Sequence, residues 1–141
     1  MTPTLLIVDD EKATLDGLRA ALEESFDCYT AADAKGALAV LQSEPVDLLL
    51  TDLRLGGDSG MDLIEQALAL PKPPVVVMMT AYGSVDAAVE AMRRGAWHFV
   101  TKPLNLDEIE MLLKRACRSR TLEQENRELR RQAGERHRLD R

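Results

Sequence analysis

Five mainly apolar runs, each closed by polar residues, alternate along the chain with stretches whose apolar positions recur at helical spacing. Leu5-Leu6-Ile7-Val8 runs straight into Asp9-Asp10, and Val46 to Thr51 runs into Asp52. Runs of this kind are the pattern of strands in a parallel sheet covered on both faces. Leu15, Leu18 and Leu22 within 11–25, and Ala37, Leu38 and Leu41 within 34–43, have the period of amphipathic helices. Cys28-Tyr29-Thr30-Ala31 reads as a short second strand, and Pro45 stops the second helix before the Asp52 strand begins. The turn-rich segment Leu55-Gly56-Gly57-Asp58-Ser59-Gly60 comes next, with Ser59 expected to cap a helix carrying Leu63, Ile64, Ala67 and Leu68. A fourth strand, Val75 to Met79, ends at Thr80. Ser84 is expected to cap the next helix, which carries Val85, Val89 and Met92 and ends at Gly95. A fifth strand around His98-Phe99-Val100 ends at Thr101-Lys102-Pro103, and a last helix starts near Leu106 with Asp107, Glu108 and Glu110 in its first turns.

This alternation predicts an α/β fold, a flavodoxin-like (βα)5 doubly wound parallel sheet of order 2-1-3-4-5 with an extended C-terminal helix. Strands 1 and 3 are adjacent in that order, so Asp9, Asp10 and Asp52 converge at one edge, and strands 4 and 5 bring Thr80 and Lys102 to it. Carboxylates that close raise one another's pKa unless a cation sits among them, and an oxygen-only cluster suits Mg²⁺. Taken singly, each Asp reads equally well as the start of a loop. Taken together, a nucleophilic carboxylate, a hydroxyl and an ammonium suggest aspartyl phosphorylation. There is no Gly-rich phosphate loop, and the histidines are His98 and His137.

Val8-Asp9-Asp10-Glu11, Thr51-Asp52-Leu53-Arg54, Met79-Thr80-Ala81-Tyr82-Gly83 and Thr101-Lys102-Pro103, in that order and spacing, resemble the receiver domain of bacterial two-component response regulators. The resemblance spans residues 4 to about 117. It implies that Asp52 is the phosphoacceptor, that Asp10 and the backbone carbonyl of Arg54 hold Mg²⁺ directly, and that Asp9 holds it through water. It implies further that Thr80 and Lys102 grip the phosphoryl oxygens, that Thr80 and Phe99 form a switch, and that Lys102-Pro103 is a cis peptide. The phosphoryl donor would be a sensor histidine kinase. The protein would be no enzyme beyond its own phosphotransfer and slow autodephosphorylation. Read without the family, Phe99 is a plain strand residue packed under the last helix. Gly56-Gly57 departs from the family, which usually has Pro before Gly there, so this loop is expected to be looser. Arg54 and Tyr82 occupy positions that vary among relatives and flank the phosphate.

Charge changes the reading of the C-terminal segment. The chain has 141 residues and a net charge of −6, but acidic residues outnumber basic ones 19 to 10 through Cys117 and are outnumbered 5 to 8 beyond it. An acidic body argues against direct nucleic-acid binding, and the short basic tail has no groove-reading motif. The expected organisation is a receiver over 1–117 and a helical coiled-coil linker over 118–141, cut before an output domain. Heptad spacing puts Leu112, Ser119, Asn126 and Ala133 at a, and Arg115, Leu122 and Leu129 at d. Leu122 and Leu129 around a polar Asn126 is the pattern of a parallel homodimer, and a solvated helical linker is the alternative. The segment from Arg118 to Gln132 is similar to the linker of NtrC-type activators of sigma-54 transcription. Cys28 and Cys117 lack metal-ligand spacing and read as thiols of a reducing compartment. With no apolar run of membrane-spanning length, the expected address is the cytoplasm.

Two other functions fit an α/β sheet edge. A Mg²⁺-dependent aspartyl phosphohydrolase would need a carboxylate two residues after its nucleophile, where Arg54 stands. A flavin-binding module would need a phosphate loop after strand 1, where Asp9-Asp10-Glu11 would repel a phosphate. A receiver joined to a different output domain remains open.

Overall fold

The computed structural model describes residues 2–55, 58–81 and 85–119. Its main sheet is built from β1 (Thr4–Val8), β2 (Asp27–Ala31), β3 (Leu48–Asp52), β6 (Val75–Thr80) and β7 (His98–Thr101), all parallel, in the order β2-β1-β3-β6-β7. Counted within this sheet alone, that is the predicted order 2-1-3-4-5. The remaining strands, β4 (Arg54–Leu55) and β5 (Asp58–Ser59), pair antiparallel as a separate ribbon. The sequence suggested only a turn-rich loop there.

Even in wholly apolar strands the side chains alternate between the two faces. Leu5 and Ile7 of β1 face α1 (Lys12–Leu22) and the last helix (α5, residues 106–119). Leu6 and Val8 face α2 (Ala34–Ser43), α3 (Gly60–Leu68) and α4 (Val85–Arg93). Each of these four β1 side chains is fully buried. At about 1.5–3 kcal/mol for each aliphatic side chain taken from water, the central strands form the most strongly anchored part of the fold.

Local chemistry sets the helix ends. α1 stops at Leu22, three residues short of the predicted end, because the Ser25 and Phe26 N–H groups both donate to the Leu22 carbonyl and the Phe26 ring is buried beneath. Asp33 Oδ1 accepts from the Gly36 N–H at 2.7 Å and caps α2, and Asn105 Oδ1 accepts from the Glu108 N–H at 3.1 Å at the start of α5. The Ser84 cap lies outside the described residues, as does the Ser59 side chain.

The structure removes one alternative reading and corrects one expectation. Phe99 packs against the α2–α3–α4 face, not under the last helix, because Val100 is the β7 residue whose parity faces α5. Leu112, expected at the a position of a dimer seam, is buried in the domain's own core with Ile109, Leu113 and Ala116. A seam could therefore begin only beyond this stretch; Leu122, Asn126 and Leu129 lie outside the described residues.

Candidate functional site

Parallel strands all open at the same rim, and the carboxylates sit there because the chain turns polar where β1 and β3 end. Val8 pairs with Thr51, which places Asp9 and Asp52 side by side. Carboxylate oxygens of Asp9, Asp10 and Asp52 lie within 4.8 Å of one another. Asp9 and Asp52 are buried and Asp10 is exposed.

Lys102 closes the group from the end of β7. Its Nζ is 2.7 Å from Asp52 Oδ2 and 3.3 Å from Asp9 Oδ2. The other oxygens are held by main chain: Asp52 Oδ1 accepts from the Arg54 N–H at 3.1 Å, and Asp9 Oδ1 from the Glu11 N–H at 2.9 Å. Burial pushes the Asp9 carboxyl above its ordinary value, and the Asp52 charge adds to this against the Glu11 N–H and the Lys102 charge. For Lys102 burial works against the ammonium, but hydrogen bonds and charge from Asp52 and Asp9 outweigh it and raise its pKa. The Lys102 ammonium is thus the counter-charge that opposes the burial of Asp9.

Thr80 ends β6 at the same rim and is buried. Its carbonyl accepts from the Lys102 N–H at 2.8 Å, and the next bond, Lys102–Pro103, is cis. Phe99 pairs across from Met78, two residues before Thr80, so the period of two puts Phe99 and Thr80 on one face of the sheet. Arg54 is exposed, whereas Tyr82, Gly56 and Gly57 lie outside the described residues.

Sequence reasoning missed Gly60. A Cβ there would stand 2.5 Å from the Asp52 carbonyl oxygen and 2.7 Å from that of Leu53, and the Gly60 N–H donates to the Leu53 carbonyl at 2.8 Å. The return of the chain onto the Asp52 backbone therefore requires glycine. Its signal in the sequence, a glycine where the polar loop meets an apolar helical pattern, reads equally as a turn residue.

Beside the rim, a groove of about 360 Å³ runs between α1 and the start of α5, with Lys102, Leu18, Pro103 and Leu104 in its walls.

The cluster fits a hard divalent cation, since its donors are carboxylate oxygens that converge on one point. Among the described residues no helix is long and apolar enough to cross a membrane.

Residues 5–114 match the response regulator receiver domain family. The chain is 40% identical over 121 residues to the response regulator protein PilR of Pseudomonas aeruginosa, covering 85% of this chain and 27% of PilR. It is 37% identical over 134 residues to the nitrogen assimilation regulatory protein NtrX of Azorhizobium caulinodans, covering 92% and 29%. The chain thus spans less than a third of these relatives' length. Among solved structures, NtrX from Brucella abortus in complex with ADP superposes with a TM-score of 0.86 at 32% identity, covering 92% of this chain and 30% of that one. A CheY-like receiver domain protein from Methanospirillum hungatei gives 0.82 at 31% identity, covering 87% and 99%. The family match takes in both acidic strand ends, Thr80 and Lys102, and the fold places all of them at one rim: the chain belongs to the response regulator receiver domain family.

Proposed function

We propose that Asp52 accepts a phosphoryl group from a phosphohistidine of a sensor histidine kinase, and that the resulting acyl phosphate is the signal. The observation that carries this reading is the ammonium of Lys102 seated on both Asp52 and Asp9. It holds the acceptor carboxylate in place and can follow the negative charge onto an incoming phosphoryl oxygen. An Asp52 oxygen forms the O–P bond while the P–N bond to the donor imidazole breaks, and that bonding pair stays on the imidazole nitrogen. Asp10, Asp52 and the Arg54 carbonyl would hold Mg²⁺, with Asp9 acting through water. When bound, the ion supplies positive charge against the phosphoryl oxygens. Thr80 would donate its hydroxyl to the same oxygens, and Phe99, on the same face, would respond to that move. The kinase would approach over the groove beside Lys102, which places its donor within reach of Asp52.

For the output, likeness to PilR and NtrX supports a regulatory piece of a sigma-54-dependent activator working in the cytoplasm. Leu122, Asn126 and Leu129, which lie outside the described residues, would pair two copies as a coiled coil.

Incubation with acetyl phosphate and Mg²⁺ tests the reading. One phosphoryl mass should appear on the intact chain and be absent from Asp52→Asn, which keeps the size of the side chain without its nucleophilicity. Equal labelling of the variant would remove Asp52 from its role.

A further inference from the structure

Asp52 is followed by two peptide groups whose four polar atoms are all held, and one of the four partners is a side chain that the functional reading does not use. The Leu53 N–H donates to the Met79 carbonyl at 3.2 Å, and the Leu53 carbonyl accepts from the Gly60 N–H at 2.8 Å. The Arg54 N–H donates to Asp52 Oδ1 at 3.1 Å. The fourth group, the Asp52 carbonyl, accepts from the Thr51 hydroxyl at 3.0 Å. The ladder between β1 and β3 ends at the pair Val8–Thr51, so this hydroxyl supplies a hydrogen bond at the point where β1 no longer pairs with β3.

Thr51 is fully buried, with Val8 and Met78 opposite it in the adjoining strands, and the period of two puts it on the face of Leu49. A hydroxyl in such apolar company is costly unless its proton is shared, and here it is shared with the main chain of the acceptor residue. A Cβ at Gly60 would stand 2.5 Å from the same carbonyl oxygen, so that oxygen is confined from a second side. The Asp52–Leu53 peptide is thus tied at its carbonyl by Thr51 and at its N–H by β6, and the next peptide carries the N–H that orients the Asp52 carboxylate.

We propose that Thr51 is a positioning residue for phosphoryl acceptance: its hydroxyl fixes the Asp52–Leu53 peptide, which aims the Arg54 N–H at Asp52 Oδ1 and so sets the rotation of the acceptor carboxylate against Lys102. The inference rests on the phosphoacceptor reading given under Proposed function. Thr51 touches neither the phosphoryl group nor the cation in that reading and acts through the main chain.

Two substitutions separate this role from plain core packing. Thr51→Val keeps the branched shape and loses the hydroxyl, whereas Thr51→Ser keeps the hydroxyl and loses a methyl group. Positioning makes Val the worse variant; packing makes it Ser. On the full chain with Mg²⁺, the initial rate of labelling by acetyl phosphate should fall on the order of tenfold in Thr51→Val and stay within about twofold of the parent in Thr51→Ser. Without Mg²⁺ or acetyl phosphate, exchange of the Arg54 amide followed by NMR should quicken on the order of tenfold in Thr51→Val and not in Thr51→Ser. Thr51→Val labelling at the parent rate, a parent-like Arg54 amide in that variant, or Thr51→Ser labelling as slowly as Thr51→Val would each overturn the positioning role and leave the phosphoacceptor reading intact. Labelling of Asp52→Asn at the parent rate would overturn that reading and the positioning role with it.

Discussion

The backbone N–H of Lys102 donates to the carbonyl of Thr80 at 2.8 Å, so the two residues at the ends of β6 and β7 share one rigid piece of main chain. Their side chains can nevertheless act separately. The Lys102 ammonium already holds two carboxylates, whereas the Thr80 hydroxyl is on a different strand from all three. Thr80→Ala should accept phosphate from acetyl phosphate at close to the parent rate and yet fail to pass the change to Phe99. Intact mass measures the first property and backbone hydrogen exchange over β7 the second; parent-like exchange changes in the variant would detach Thr80 from the switch.

Magnesium affinity should depend more on Asp10 than on Asp9. Asp10 is exposed, whereas Asp9 is buried and already spends its two oxygens on the Glu11 N–H and the Lys102 ammonium. Calorimetric titration of Asp9→Asn and Asp10→Asn should show the larger loss for Asp10, and the reverse order would contradict direct ligation by Asp10. Trp97 is a poor reporter for this purpose, because it precedes the N-terminal end of β7 and the carboxylates lie at the other rim.

Two glycines should respond in opposite directions. At Gly17, in the middle of α1, an added Cβ meets nothing within 4 Å. Gly17→Ala should therefore stabilise the chain by about 0.5–1 kcal/mol in urea unfolding. Gly60→Ala forces a Cβ onto the Asp52 and Leu53 carbonyls and should destabilise it by about 2 kcal/mol or more. A neutral Gly60→Ala would mean that the loop can move away from the Asp52 backbone at little cost.

Burial pushes the Cys28 thiol up to about 11. A folded-state pKa above the unfolded one favours the folded chain fully below the unfolded value, near 8.5 for cysteine, and this contribution is lost as pH rises through the folded value. Stability of the parent relative to Cys28→Ala should therefore fall between about pH 8.5 and 11. At pH 8 the folded thiol should alkylate far more slowly than it does in denaturant. Equal alkylation rates would show that the thiolate is not suppressed.

The sheet was legible because its signal is redundant. β1, β3 and β6 are built on apolar runs of the right length, and the polar residues after Val8, Thr51, Met79 and Val100 mark one rim four times over. What escaped was what depends on the path of the chain between elements. The β4–β5 ribbon occupies four residues, too few to show a period, and Gly60 is indispensable only because of where the backbone returns. The face that Phe99 takes was not legible, because two adjacent β7 residues, Phe99 and Val100, are both apolar and the sequence alone does not say which one faces α5. Leu112 fits a heptad and a domain core equally well by spacing, and the sheet beneath it decides for the core.

Since the strands of the main sheet all run one way, the molecule has a working rim and a foundation rim. Asp9, Asp52, Thr80 and Lys102 stand at the first; Thr4, Asp27, Leu48, Val75 and His98 begin their strands at the second. Substitutions at the foundation rim bear on whether the chain folds, and those at the working rim on the chemistry of the acidic cluster. Separated by the length of a strand, roughly 17 Å, the two sets of positions can drift with little interference. Such a part can be retuned for a new partner without being rebuilt as a scaffold.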